Sequence, residues 1–204
     1  MTLTLALSKG KLLPGAADLF RRAGLPFPEE AGRRLVVDHG SLRFLFVKDA
    51  DVPTYVEHGV ADCGIAGRDV LLEAGSDVYE PLDLAFGRCR LVVARPRGAR
   101  GDARSSGLRV ATKYPRTAAR HFLERGVSVE VVRLAGSVEL APGLGLSDCI
   151  VDVVETGGTL DANGLEAVEE VAASSARLIV NRASYHARRD EVSALMARLR
   201  EALP

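Results

Sequence analysis

The chain has no surplus of either charge, since 27 lysine and arginine residues are matched by 27 aspartates and glutamates. A nucleic-acid binder needs a basic surface, so its whole-molecule footprint is missing and any anionic ligand has to be met by local groups. Cysteine is scarce too. Cys63, Cys89 and Cys149 are widely spaced, lie in apolar strand-like segments and form neither a Cys-x-x-Cys pair nor a metal-ligand spacing. They read as reduced core thiols and predict a cytoplasmic protein. Long apolar runs are absent as well. None approaches the ~20 residues of a membrane span, and the opening stretch Thr2 to Ser8 lacks the basic segment that precedes the apolar part of a secretory signal. Membrane insertion and secretion are therefore not expected.

What is present is enough apolar material, 47% of 204 residues, to fill a core. That length allows one large α/β unit or two small lobes. The most informative stretch runs from Asp148 to Leu160. Five of the seven residues from Cys149 to Glu155 are apolar and four are β-branched, which describes a strand covered on both faces. It stops at Thr156-Gly157-Gly158-Thr159, small residues whose amides and hydroxyls can surround an anion. The plain alternative is a turn with Asp152 and Glu155 facing water. Against it, an acidic residue embedded in so apolar a strand costs several kcal/mol unless it is paired, hydrogen-bonded or beside a ligand. Asp152 is the more telling of the two carboxylates. Carboxylates for sugar hydroxyls next to amides for phosphate point to ribose 5-phosphate.

The rest of the chain repeats one pattern. A strand at Leu3 to Leu7 ends at Ser8-Lys9-Gly10-Lys11, and a helix follows until Gly24 with Pro14 in its first turn. That places a helix start beside two lysines, which is either an anion site or a solvated loop. Arg34 to Asp38 and Leu42 to Val47 flank His39-Gly40-Ser41 as a hairpin, with Arg33, Arg34, Arg43 and Lys48 at its edges, either a wet face or the lining of a polyanion site. A helix then opens near Asp51, which can cap it, and Val52, Tyr55 and Val56 are spaced for burial before Gly59. Asp62 to Gly67 is a short strand running into a helix from Arg68 to Ala74; its glycines allow close approach of a ligand or of a neighbouring backbone. Strands at Val78 to Leu84 and Cys89 to Arg95 lead to a loop from Pro96 to Gly107. Its arginines are not interleaved with aromatics, so it reads as solvated. Strand, loop and helix then start again at Leu108 to Thr112, with Lys113 and Tyr114 in the place that Lys9 and Gly10 hold in the first half. Val127 to Leu134 is a strand and Gly136 to Pro142 a short helical segment. Two last strands, Val168 to Ala173 and Leu178 to Val180, precede a helix from Asp190 to Leu203 whose Val192, Leu195, Met196, Leu199 and Leu203 form a core stripe.

Ser8-Lys9-Gly10, Asp51 to Gly59, Ala61 to Asp69, Ala111-Thr112-Lys113-Tyr114 and Asp152 to Leu160, in this order, resemble the ATP phosphoribosyltransferase family of histidine biosynthesis. The match spans nearly the whole chain and is most specific from Glu139 through Gly145 to Leu160. The resemblance implies an α/β, two-lobed periplasmic-binding-protein-like (type II) fold with a cleft between lobes. Lobe I would comprise residues 1–90 plus 177–204, with the last helix returning to it, and lobe II residues 91–176. It also implies the short form, which lacks a C-terminal histidine-binding domain and works in a hetero-oligomer with a regulatory subunit similar to histidyl-tRNA synthetase. A homodimer is expected within that assembly. Lys11 and Lys48 stand where many relatives are expected to carry arginine, which keeps the charge but loses the bidentate geometry.

The implied reaction joins N1 of the ATP adenine to C1 of phosphoribosyl pyrophosphate and releases pyrophosphate. Its nucleophile is a neutral ring nitrogen, so the enzyme has to position two polyanions and stabilise the leaving group rather than supply a strong base. On these residues the 5-phosphate falls to Thr156, Gly157, Gly158 and Thr159, and the ribose hydroxyls to Asp152 and Glu155. Lys9, Arg33 and Arg43, with Gly10 and Lys11 beside them and a substrate-bound Mg2+, take the pyrophosphate, which would require the lobes to close. Lys113, Tyr114, Ser137 and Glu139 are the candidates for ATP, and no protein ligand of the metal is assigned. A phosphoribosyltransferase acting on a free base, and a non-catalytic two-lobed receptor, are the alternatives.

Overall fold

A computed structural model describes residues 2–28, 32–99 and 107–204. In chain order it contains β1 (Leu3–Ser8), α1 (Leu13–Arg22), β2 (Val36–His39), β3 (Leu42–Val47), α2 (Val52–Glu57), β4 (Cys63–Gly67), α3 (Arg68–Ala74) and β5 (Tyr79–Asp83). Then follow β6 (Cys89–Pro96), β7 (Leu108–Thr112), α4 (Pro115–Glu124), β8 (Val129–Arg133), α5 (Leu140–Gly143), β9 (Cys149–Val154), α6 (Gly158–Ala162) and β10 (Leu165–Ser174). The last elements are β11 (Ala176–Val180), α7 (Arg182–Ala187) and α8 (Arg189–Glu201). Two compact units result, residues 1–88 with 175–204 and residues 89–174.

Each unit is built on its own sheet. The strand orders are β2-β3-β1-β4-β11-β5 and β10-β6-β9-β7-β8. Both contain three parallel strands whose earliest member lies in the middle, β3-β1-β4 in one and β8-β7-β9 in the other. Alternation along the strands loads both faces of each sheet. Leu3, Leu5 and Leu7 of β1 join one core with Ala16, Leu19 and Phe20 of α1, while Ala6 joins the opposite core with Val52 and Val56 of α2 and Leu71 of α3. In the second unit Ala118 and Phe122 of α4 cover one face; Ala141 of α5 and Leu160 of α6 cover the other.

This layering decides where ligands can go. The chain leaves β1 toward one face and the neighbouring β4 toward the other; β7 and its neighbour β9 diverge in the same way. Adjacent parallel strands with diverging exits leave a crevice at their carboxyl ends, the usual ligand position in open α/β sheets. Gly64, by contrast, is architectural. A Cβ there would lie 2.8 Å from Val56 Cγ2, 3.0 Å from Val52 Cγ1 and 3.1 Å from the Ala6 carbonyl oxygen, so the missing side chain lets α2 lie on the sheet.

Several local expectations change. Asp51 makes no side-chain cap; a 3-10 turn at Asp49–Asp51 feeds α2 instead. Tyr55 is 38% exposed rather than buried. The hairpin's first strand begins two residues later than Arg34. β10 extends beyond Val168 to Ala173 at both ends, and its register shifts between Ala167 and Glu169 and between Glu170 and Ala172 break the alternation that marks a strand in sequence. α7 was not foreseen. None of its residues is buried, so it carries no apolar period; Asn181 starts it by accepting from Ser184 N at 2.9 Å. The expected Pro96 to Gly107 loop falls, for residues 100–106, outside the described residues.

The C-terminal helix packs on the first unit, placing Val192, Leu195 and Leu199 in the same core as α1. Arg188 fixes its start by donating to Asp62 Oδ2 at 2.7 Å and to the Thr2 carbonyl at 3.1 Å. Ser184 Oγ donates to the other oxygen of Asp62 at 2.7 Å.

Candidate active site

In the second unit eight of the candidate residues lie on β7 and β9 or at their diverging exits, and Ser137 and Glu139 follow the neighbouring β8. Asp152 lies within β9, between Val92 of β6 on one side and β7 on the other, and its side chain is only 18% exposed. Burial pushes its carboxyl above the ordinary value of 3.8. Opposing that push, Lys113 Nζ stands 3.7 Å away and the Val153 amide donates to Oδ1 at 2.9 Å; the Glu139 charge reinforces it. The structure thus brings together Asp152, Lys113 and Glu139, which are scattered over 40 positions of sequence. Lys113 was expected to serve ATP. The structure makes it an ion-pair partner of Asp152.

The turn after β9 is exposed and glycine-containing. Glu155, Thr156, Gly158 and Thr159 are exposed, and Gly157 adopts φ +91°, a left-handed conformation that a side chain would strain. Gly157 starts α6, whose first amides have no acceptor within the helix. Leu160, 6% exposed, anchors the turn to the core. On the β8 side, Val138 is fully buried and holds the Ser137–Glu139 segment; Ser137 has φ +49°, uncommon for a residue other than glycine. Tyr114 is half-buried, packs on the same core as Phe122, and its successor Pro115 opens α4.

The first unit carries the cationic candidates. Lys9 and Gly10 are exposed at the exit of β1, with Lys11 next to them. Lys9 Nζ donates to the Gly32 carbonyl at 2.6 Å and to the Arg34 carbonyl at 2.9 Å, and sits 5.2 Å from the centre of the Phe46 ring. It therefore holds the backbone on both sides of Arg33, whose side chain is exposed. Arg43 is engaged with its cross-strand neighbour Asp38, Nε to Oδ1 at 2.6 Å and Nη2 to Oδ2 at 3.1 Å. That hydrogen-bonded pairing raises the Arg43 pKa and lowers that of Asp38. Arg43 thus offers a ligand fewer free donors than sequence position alone suggests.

Two features escaped the sequence reading. Asp69, 9% exposed in the first turn of α3, stands at the exit of β4, where the glycines before it are the more prominent sequence signal. Thr112 is fully buried at the end of β7; it belongs to the Ala111 to Tyr114 segment, where Lys113 and Tyr114 carry the more obvious ligand chemistry. Burial disfavours the thiolate at Cys63 and Cys149, pushing Cys63 up to about 12 and Cys149 up to about 11.

Comparison with known proteins adds the remaining finding. Residues 48–201 match the family model described as HisG, ATP phosphoribosyltransferase. A protein of Sorangium cellulosum named ATP phosphoribosyltransferase is 53% identical over 205 residues, covering 98% of this chain and 95% of that one. Among solved structures, the ATP phosphoribosyl transferase (HisG:HisZ) complex from Thermotoga maritima superposes with a TM-score of 0.88 at 36% identity, covering 98% of each chain. The alkanesulfonate-binding protein SsuA from Xanthomonas axonopodis pv. citri superposes with a TM-score of 0.57 at 17% identity, covering 98% of this chain and 72% of that one. This last likeness concerns fold alone, and it assigns the α/β architecture to the periplasmic-binding-protein-like, type II class.

Proposed function

This chain belongs to the ATP phosphoribosyltransferase family, and on that premise we propose how its residues divide the work. The protein is a pentosyltransferase: it transfers the 5-phosphoribosyl group of phosphoribosyl pyrophosphate to N1 of ATP and releases pyrophosphate, opening histidine biosynthesis. The free-base and receptor alternatives are not favoured.

The 5-phosphate is assigned to the amides and hydroxyls of Thr156 to Thr159, and the ribose hydroxyls to Asp152 and Glu155. One observation carries this assignment: a carboxylate held against its solvation preference at the carboxyl end of β9, immediately before an exposed turn of small residues. As the C1–O bond to pyrophosphate breaks, the ribose gains positive character, and a nearby buried carboxylate stabilises that charge more than it stabilises the ground state. Lys113 opposes the protonation of Asp152 that burial favours. Lys9, Arg33 and Arg43, with Gly10 and Lys11, are assigned to the leaving pyrophosphate. Tyr114, Ser137 and Glu139 are assigned to ATP.

Mg2+ is proposed to arrive on the pyrophosphate oxygens as part of the substrate. At phosphate sites this ion usually keeps water and phosphate oxygens as its ligands, so no protein ligand is assigned to it. When bound it neutralises phosphate charge. A hetero-oligomer with a HisZ-type subunit is proposed from the composition of the Thermotoga maritima complex, and a homodimer of this chain inside it is proposed from the family resemblance alone. No helix among the described residues is long and apolar enough to cross a membrane, and the three free cysteines support a reducing, cytoplasmic setting.

The test is direct. Purified protein, alone and with the HisZ-type subunit, is incubated with phosphoribosyl pyrophosphate and Mg2+, then given ATP or a panel of free bases while pyrophosphate is followed. Release is expected with ATP only. Release driven by a base, or tight binding of both substrates without release, would contradict the assignment.

A further inference from the structure

Thr112 is the last residue of β7 and registers with Val151 of β9, the residue before Asp152. Its side chain is fully buried. The hydroxyl donates to the Val151 carbonyl at 2.6 Å and accepts from the Tyr114 amide at 2.8 Å. It therefore bridges the peptide unit that leads into Asp152 and the backbone that follows Lys113. The Thr112 carbonyl also accepts from the Leu134 amide at 3.0 Å, tying in the segment that continues to Ser137 and Glu139. Three site-bearing loops thus meet at one residue.

We propose that Thr112 is a positioning residue for phosphoribosyl pyrophosphate, its buried hydroxyl setting Lys113 against Asp152. The inference rests on the assignment of the ribose to Asp152. Lys113 is half-exposed on a turn that would otherwise be free to choose among rotamers and backbone positions. Fixing the turn through Tyr114 N holds the ammonium within ion-pair reach of a carboxylate that burial would otherwise drive toward protonation. Hydroxyl loss removes the donor to the buried Val151 carbonyl and the acceptor of the Tyr114 amide, and the exposed Lys113 turn can shift in response.

The test compares Thr112→Val, which keeps the shape and removes the hydroxyl, with Thr112→Ser, which keeps the hydroxyl. In Thr112→Val the KM for phosphoribosyl pyrophosphate is expected to rise about tenfold or more while the KM for ATP moves less than about threefold. The acid limb of the kcat/KM profile is also expected to shift to higher pH, because Asp152 loses its cation. Thr112→Ser should restore both to near wild type. A folded Thr112→Val with unchanged phosphoribosyl pyrophosphate KM, or equal impairment of both variants, would overturn the proposal. Asp152→Asn run alongside separates the two levels: if it leaves that KM unchanged, the ribose assignment fails and the role of Thr112 falls with it. If Asp152→Asn raises it and Thr112→Val does not, Thr112 alone is wrong. Should Thr112→Val not fold, hydrogen exchange of the Tyr114 amide in wild type and Thr112→Ser decides. Protection in both supports the hydroxyl tether, and exchange at the rate of an open loop in either overturns it.

Discussion

Asp152→Asn is expected to lower turnover by about 10²- to 10³-fold while leaving stability at neutral pH equal to wild type or higher. The loss follows from the chemistry. An amide cannot supply the negative charge that the developing ribose cation requires, although it can still accept from the Val153 amide as Oδ1 does now. The gain follows from burial, the main cause of the raised Asp152 pKa. A carboxyl whose pKa is higher in the folded than in the unfolded chain supports folding when protonated. That support is complete below the unfolded value and is lost as pH rises through the folded one. At neutral pH the ionised side chain therefore costs stability, and asparagine removes that cost. Lys113 loses its partner but is 42% exposed and can be hydrated. Urea midpoints of both proteins should differ in favour of the variant at neutral pH and converge as pH falls toward 3.8. A variant that is active, or one that is less stable at neutral pH, would refute this account of Asp152.

Lys9→Ala is expected to lower kcat by about 10²- to 10³-fold, and combining it with Arg33→Ala to cost less than the product of the two single losses. Two of the three ammonium donors of Lys9 go to the carbonyls on either side of Arg33. Truncating Lys9 would remove the proposed phosphate contact and release the backbone that presents the neighbouring guanidinium, so part of the Arg33 contribution would already be gone. Lys9→Arg should not rescue, because a planar guanidinium cannot reproduce two backbone contacts made by a compact ammonium. The check is steady-state kinetics of the two single variants and the double. Losses that multiply would mean two independent phosphate contacts, and a Lys9→Ala within a few-fold of wild type would remove Lys9 from the reaction.

Much of the fold was legible because it rests on local patterning. The apolar run of β9, the glycine turn behind it, the leucine alternation of β1 and the helix from Arg68 to Ala74 all carry their own period or punctuation. What failed depends on partners far along the chain. α7 has a local cap in Asn181 but no apolar period behind it, and Ser184 ties it to Asp62, 122 residues away. Tyr55 has the spacing of a core residue, but α2 is a short helix and presents it to solvent. The site shows the same division. That Asp152 needs a partner was readable from the cost of burying it. That the partner is Lys113 was not, since the pairing is created by the register of β7 on β9. The Arg43–Asp38 pair likewise appears only once the two hairpin strands are aligned.

The central claim, that the turn after β9 holds the sugar phosphate, is tested most directly by titrating ribose 5-phosphate into 15N-labelled protein and following the amides of Gly157, Gly158 and Thr159. Saturable shifts at these three are expected in wild type and in Lys9→Ala, and strongly weakened ones in Asp152→Asn. Shifts confined to Gly10 and Lys11, or binding that survives Asp152→Asn unchanged, would contradict it.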